Sequence, residues 1–380
     1  MHINPNPEHP DLSTEQSAWL LRAVGPVAVV KDLSWETTAS RVWHLRDSHG
    51  TDLILKVAGP PMEKHIAREI RAHETAAREL SGTGDAQQLV AGDSRLGVLV
   101  LTYLPGQLVE GTELEFDSEV HFQAGQLLGR LHRQGSQVAP PQAAHSQAAP
   151  GHAAPGHAAP GHCQKEPTTA LSPITTKEMS FLERIELQDS AYGSILSKKL
   201  NPSPTHSDSA TQSDSATHSD SPTQSDDDYE RNLVTRTRRW LDGKHNIPSD
   251  QVERINAVLD ASTPEPIRVV PTHGDWHPRN WLVNDSSTTP HVMAIDFGRF
   301  DWRSAQSDLL RLQLGQWNGR PDLEAAFLRG YGEDPRTNSW QLELIYQAVA
   351  NTCWAHMMGD VAFEQQGLHE ITMVLETAPE

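Results

Sequence analysis

Short apolar runs punctuated by turns fill the first hundred residues. Ser13, followed by Glu15-Gln16, predicts a helix start with Ser13 as cap and Gln16 in the capping-box position. Trp19, Leu20 and Val24 line that helix until Gly25-Pro26 ends it. Strands are expected over residues 27–30, 41–45 and 52–57, the last two joined through the turn signal Asp47-Ser48-His49-Gly50. A helix over 62–80 and a strand over 97–101 follow, and Pro105-Gly106 then marks a turn.

From residue 116 the period lengthens. Val120, Ala124, Leu127, Leu128 and Leu131 share one face of a helix over 116–134. The pattern then fails. Ala-Ala-Pro-Gly-His occurs three times between Ala148 and His162, and Ser-Asp-Ser recurs between Ser207 and Asp226. Such repeats bury too little apolar surface to offset the entropy of ordering them, apart from one possible helix within 178–200. Helical pattern resumes at 229–241, at 249–259 behind a Ser249 cap, and over 304–314, 322–329, 339–357 and 361–375. Two apolar runs interrupt it, at 267–270 and 292–295.

Composition narrows the class. A net charge of −19 argues against a nucleic-acid partner, although the insert carries part of it. Two cysteines allow no disulfide framework, no run approaches a membrane span, and the first residues carry neither a basic nor an apolar leader pattern. A cytoplasmic protein, monomer or dimer, is expected.

The chemistry sits behind the two apolar runs. The first delivers His273-Gly274-Asp275-Trp276-His277-Pro278-Arg279-Asn280, and the second delivers Asp296-Phe297-Gly298. Phosphoryl transfer asks for this set. Asp275 would orient and deprotonate an attacking hydroxyl, while Asn280 and Asp296 offer hard oxygens to Mg²⁺ on the nucleotide phosphates. His273 and His277 have a zinc-like spacing, but Gly274 and Pro278 deny them a shared helix. Lys56 stands alone in the apolar strand Leu53-Ile54-Leu55-Lys56-Val57, a costly position unless its ammonium meets an anion. The helix after it offers Glu69, Glu74 and Glu79.

The three segments His273–Asn280, Asp296-Phe297-Gly298-Arg299 and Asp308-Leu309 resemble, in order, the motifs of the aminoglycoside phosphotransferase family. That resemblance implies an α+β, protein-kinase-like two-lobed fold. A nucleotide-binding lobe would span 1–103, and a mainly helical catalytic and acceptor lobe 104–380, with the insert at about 136–228. It selects Glu69 as the partner of Lys56 and places phosphates at the loop from Ser34 to Ser40. It puts the base edge at the backbone of Thr102 and Leu104, and makes His273, His132 and Asp308 structural support. It also implies ATP or GTP as co-substrate with Mg²⁺, and an aminoglycoside-type antibiotic as first acceptor. An amino alcohol or sugar is the alternative, and a nucleotide-binding pseudokinase docking partners through its insert is the third reading. Many family members carry Gly-Asp where this chain has Arg303-Ser304, which weakens any inference about the acceptor. Asp301, Asp360 and Glu364 are candidate acceptor-binding acids, while Trp276, Trp281, Trp302 and Trp354 are expected mainly in the core. No Ala-Pro-Glu follows Asp296, which disfavours a protein kinase.

Overall fold

The computed structural model describes residues 12–34, 40–58, 63–134, 226–262, 267, 269–284 and 290–377. The repeats, the possible helix within 178–200 and most of the loop between Ser34 and Ser40 lie outside the described residues.

Five antiparallel strands form the small-lobe sheet: β1 (Val27–Asp32), β2 (Ser40–Asp47), β3 (Asp52–Ala58), β4 (Leu89–Asp93) and β5 (Val98–Thr102), in the order β1-β2-β3-β5-β4. The β2–β3 turn closes because the Asp47 carboxylate accepts from the backbone of His49 and Thr51, both at 2.8 Å. Alternation along β3 decides its faces. Leu53, Leu55 and Val57 pack with Leu20 of α1 (Thr14–Val24), while Ile54 and Ala58 pack with Ile66 of α2 (Glu63–Glu74). Lys56 shares the α2 face. Because β3 lies at the centre of the sheet, that lysine is no edge-strand surface residue.

The single helix expected over 62–80 is two. At the break the Thr75 N–H (3.2 Å) and the Ala77 N–H (2.9 Å) both donate to the Ala72 carbonyl in place of the i→i−4 ladder, and the chain restarts as α3 (Arg78–Thr83). Strand β4 escaped the sequence pattern because a bulge and the small residues Ala91 and Gly92 erase its alternation.

In the large lobe, α4 (Ser118–Gln134) crosses α8 (Pro321–Tyr331) at close range. A Cβ on Gly125 or Gly330 would strike the backbone of Phe327 or Phe122 respectively, so both positions demand glycine. Helix α9 (Trp340–Met358) is buried along most of its length by α5 (Asp226–Leu241), α6 (Ser249–Ala261) and α10 (Val361–Glu376). Ser249 is the first residue of α6 and Pro248 holds the cap position, with no side-chain cap bond. Residues 304–314 are not one helix. Strand β10 (Asp301–Ser304) pairs with β7 (Val269–Thr272), a 3₁₀ turn covers Ala305–Leu309, and α7 (Leu310–Leu314) is short. Pairing with β7 overrides the helical pattern there. Strands β6 (Gln107–Leu108), β8 (Trp281–Val283) and β9 (Val292–Ala294) make a small third sheet. The lobes meet where Ala294 donates to the Asp85 carbonyl at 2.8 Å. Among the described residues no helix is long and apolar enough to cross a membrane.

Candidate active site

Strand β7 ends at Thr272, and the loop behind it is held by one carboxylate. Asp308 accepts from the His273 N–H on Oδ2 (2.8 Å) and from the Gly274 N–H on Oδ1 (2.6 Å). His132 of α4 donates to the same Oδ2 at 3.0 Å, with the Tyr331 hydroxyl on its other nitrogen at 2.9 Å. Burial works against the Asp308 charge, yet these donors hold its carboxyl below the ordinary range. His273 donates from Nε2 to the Ile295 carbonyl (3.0 Å) and accepts the Asp275 N–H on Nδ1 (3.3 Å). It therefore ties the two motif loops together as a neutral imidazole, and burial lowers its pKa.

That scaffold presents Asp275. Its carboxylate is 92% inaccessible and faces three basic groups: Arg311 Nε at 3.0 Å, His277 Nε2 at 3.4 Å and Arg299 Nε at 3.6 Å. Burial alone would raise its pKa, but Arg311, His277 and Arg299 outweigh it and hold the carboxyl well below the usual range. Asn280 donates from Nδ2 to the Asp275 carbonyl (2.7 Å), so its side chain is locked to the same loop.

Asp296 ends the second apolar run with φ 63°, the one non-glycine residue at positive φ among the described residues. Such a conformation persists where the surroundings enforce it. Here His65 of α2 donates to the Gly298 carbonyl (2.9 Å) just beyond the turn. Lys56 Nζ bridges the lobes, at 2.8 and 3.1 Å from the Glu69 oxygens and 3.1 Å from Asp296 Oδ1. Burial disfavours the ammonium, but Asp296 and Glu69 together raise its pKa above the ordinary lysine value. Glu69 is pushed up by burial against the pull of Lys56, whereas Asp296, although the protein around it raises its pKa, is held at about 2 by Lys56.

One cavity of about 460 Å³ between the lobes joins these groups: Lys56, Glu69, Asp275, Asn280 and Asp296 all line it, with Ser40 and Leu104. Thr102 is turned differently. Its carbonyl accepts from Gln87 Nε2 (3.0 Å) and its N–H donates to the Gln88 carbonyl (2.9 Å). His273 and Asp308 lie behind the cavity wall. Among the described residues no three His, Cys, Asp or Glu side chains cluster as a metal cage.

The candidate acceptor acids are otherwise engaged. Asp301 pairs with Arg71 (3.4 Å) and Arg68 (3.8 Å), Asp360 caps α10 through the Phe363 N–H, and Glu364 meets His356 and Asn246. Trp276, Trp281 and Trp354 are core residues, each at most 2% exposed, and Trp302 is partly exposed.

Sequence reasoning passed over Arg311, one turn after Asp308, and His73, one turn after Glu69. His73 is buried with neither ring nitrogen hydrogen-bonded, and burial, with the nearby Lys56 and His273, lowers its pKa to about 3. It starts a file of rings crossing the molecule. His73 meets Phe297 edge-on (5.3 Å), Phe297 meets His273 (4.7 Å), and Trp276, Trp281 and His121 continue it at 5.2 to 5.8 Å.

The model of the phosphotransferase enzyme family matches residues 35–340. Among solved structures the chain is similar to the aminoglycoside 2'-phosphotransferase-IIIa seen in its GDP complex. Identity is 11% and TM-score 0.52, over 95% of this chain and 98% of that one. It is also similar to a type I macrolide 2'-phosphotransferase, with 12% identity and TM-score 0.50 over 97% and 99% of the two chains. The choline kinase LicA from Streptococcus pneumoniae follows at 14% identity and TM-score 0.47, over 96% and 100%. At these identities the likeness to the two antibiotic phosphotransferases, with TM-scores of 0.52 and 0.50, establishes the protein-kinase-like fold alone. No curated protein sequence matches the chain.

Proposed function

The chain belongs to the phosphotransferase enzyme family, and we propose that it moves the γ-phosphoryl group of ATP or GTP onto a hydroxyl of a small molecule. The observation that carries this reading is the meeting of Asp275, Asn280, Asp296 and Lys56 on one inter-lobe cavity.

The residues fit Mg²⁺. More than half of the Asp296 side chain is open to solvent, and Asn280, with Nδ2 committed to the Asp275 carbonyl, keeps Oδ1 as its remaining ligand atom. Asn280 and Asp296 would hold the ion, which when bound neutralises charge on the transferring phosphates. Lys56 holds the phosphates from the small-lobe side, and Glu69 fixes its direction. Asp275 orients the acceptor hydroxyl in line with the γ-phosphorus. The hydroxyl oxygen bonds to phosphorus, the bond from phosphorus to the β,γ-bridging oxygen breaks, and the acceptor proton passes to Asp275. Arg299 and Arg311 keep Asp275 ionised, so orientation is its first duty and proton transfer comes late.

An aminoglycoside-type antibiotic is the acceptor class favoured by the motif resemblance. A small metabolite, an amino alcohol or sugar, is the second reading, favoured because Asp301, Asp360 and Glu364 already serve protein partners. A panel of both classes, incubated with nucleotide and Mg²⁺ and read as mass gain of one phosphate, decides between them. Asp275→Ala is expected to lower turnover by roughly 10²- to 10⁴-fold. Turnover unchanged in that variant would remove Asp275 from the reaction.

A further inference from the structure

Away from its charged end the cavity becomes an apolar slot. Val42 and Ile54 line it from the small-lobe sheet, and Leu282 and Ile295 line it from the large lobe. Two apolar surfaces on opposite lobes suit a flat ring between them. Gln87 also lines this cavity, although it is only 5% exposed. A buried amide against an apolar slot needs a reason, because each of its polar atoms left unmatched costs stability.

The setting of Gln87 is rigid. Its Nε2 donates to the Thr102 carbonyl at 3.0 Å, and its own carbonyl accepts from the Ser81 hydroxyl. Its neighbour Gln88 donates its N–H to Thr102 Oγ1 and accepts the Thr102 N–H, both at 2.9 Å. A carbonyl only accepts, so Thr102 dictates which end of the amide is nitrogen. Oε1 is the other end, and it accepts no hydrogen bond from a described residue.

We propose that Gln87 reads position 6 of the purine, accepting the 6-amino group of adenine on Oε1 and disfavouring the 6-oxo group of guanine or hypoxanthine. This rests on the nucleotide-binding reading of the cavity and selects ATP within it. Adenine brings a donor to that edge and completes the amide. A 6-oxo purine brings a second acceptor, and two acceptors facing each other in a buried slot leave both unmatched. Gln87 is thus a specificity residue and takes no part in the transfer step.

The test is direct binding of ATP, ITP and purine riboside triphosphate, which carry 6-amino, 6-oxo and 6-hydrogen bases, to the full chain by calorimetry without acceptor. ATP is expected to bind tightest, the 6-hydrogen analogue next, and ITP more weakly than ATP by roughly tenfold or more. Gln87→Met keeps the bulk and removes the amide, and it should bring ATP and ITP to within about twofold of each other. Equal binding of ATP and ITP by the unaltered protein, or a ratio that Gln87→Met leaves unmoved, overturns the assignment and leaves the phosphotransferase reading standing. Failure of every nucleotide to bind overturns both. The unaltered protein alone gives the analogue series, so a misfolded variant does not spoil the test.

Discussion

Two carboxylates that both act on His273 carry opposite duties. Asp308 is sealed, with a side chain that is 0% exposed and both oxygens matched by donors from His273, Gly274 and His132. Asp296 is 54% exposed, stands on a strained backbone and shares one ammonium with Glu69. The sealed group has no other arrangement open to it and behaves as scaffold. The exposed one meets Lys56 through a single contact that a bound cation can replace. A buried ion cluster is thus no uniform sign of function; what matters is whether its partners are fixed or exchangeable.

The hardest test of that contrast is Asp308→Ala. It leaves two loop N–H groups and His132 without their acceptor inside the large lobe. A loss of about 3–5 kcal/mol in unfolding free energy is expected, measured by urea denaturation. A loss below about 1 kcal/mol would show that the loop stands without Asp308. Asp296→Asn should behave in the opposite way. Turnover is expected to fall by roughly 10²-fold or more, while stability moves by less than about 1 kcal/mol, because Asp296 itself is 54% exposed and Lys56 keeps Glu69 as its partner. A stability loss as large as that of Asp308→Ala would erase the distinction.

A smaller effect separates the neutral ring beside them. Unfolded His73 takes up a proton near its ordinary value of 6.5, but folded His73 does so only at about 3. The unfolded state therefore binds more protons as pH falls below 6.5, and stability drops through that window. Each such histidine contributes a slope of up to about 1.4 kcal/mol per pH unit. His73→Leu should remove about 1 kcal/mol of the stability difference between pH 6 and pH 5, read from urea midpoints at each pH. An unchanged difference would mean that His73 is protonated in the folded protein.

What the sequence made legible was local. The two catalytic loops are runs of neighbouring residues, so His273 through Asn280 and Asp296 through Arg299 could be read without the fold. Strands β2 and β3 announce themselves by alternation, and the helix of residues 118–134 by its apolar face. What stayed hidden depends on partners far along the chain. Gln87 acquires its setting from Thr102 and Ser81, Arg311 from Asp275, and Ser304 joins a strand because Val269 lies opposite. The break between α2 and α3 was hidden for a different reason, since only the backbone bonding changes, with the Thr75 and Ala77 N–H groups sharing the Ala72 carbonyl, while the apolar spacing runs straight through it.

The file of rings has a mechanical consequence. His73 rides on the small lobe's helix, while Phe297, His273 and Trp276 belong to the large lobe, so one link of the file, 5.3 Å between centroids, crosses from lobe to lobe. Edge-on attraction between rings fades within about an ångström of separation. Any rotation of one lobe against the other would load this ring contact and the Lys56–Asp296 ion pair together.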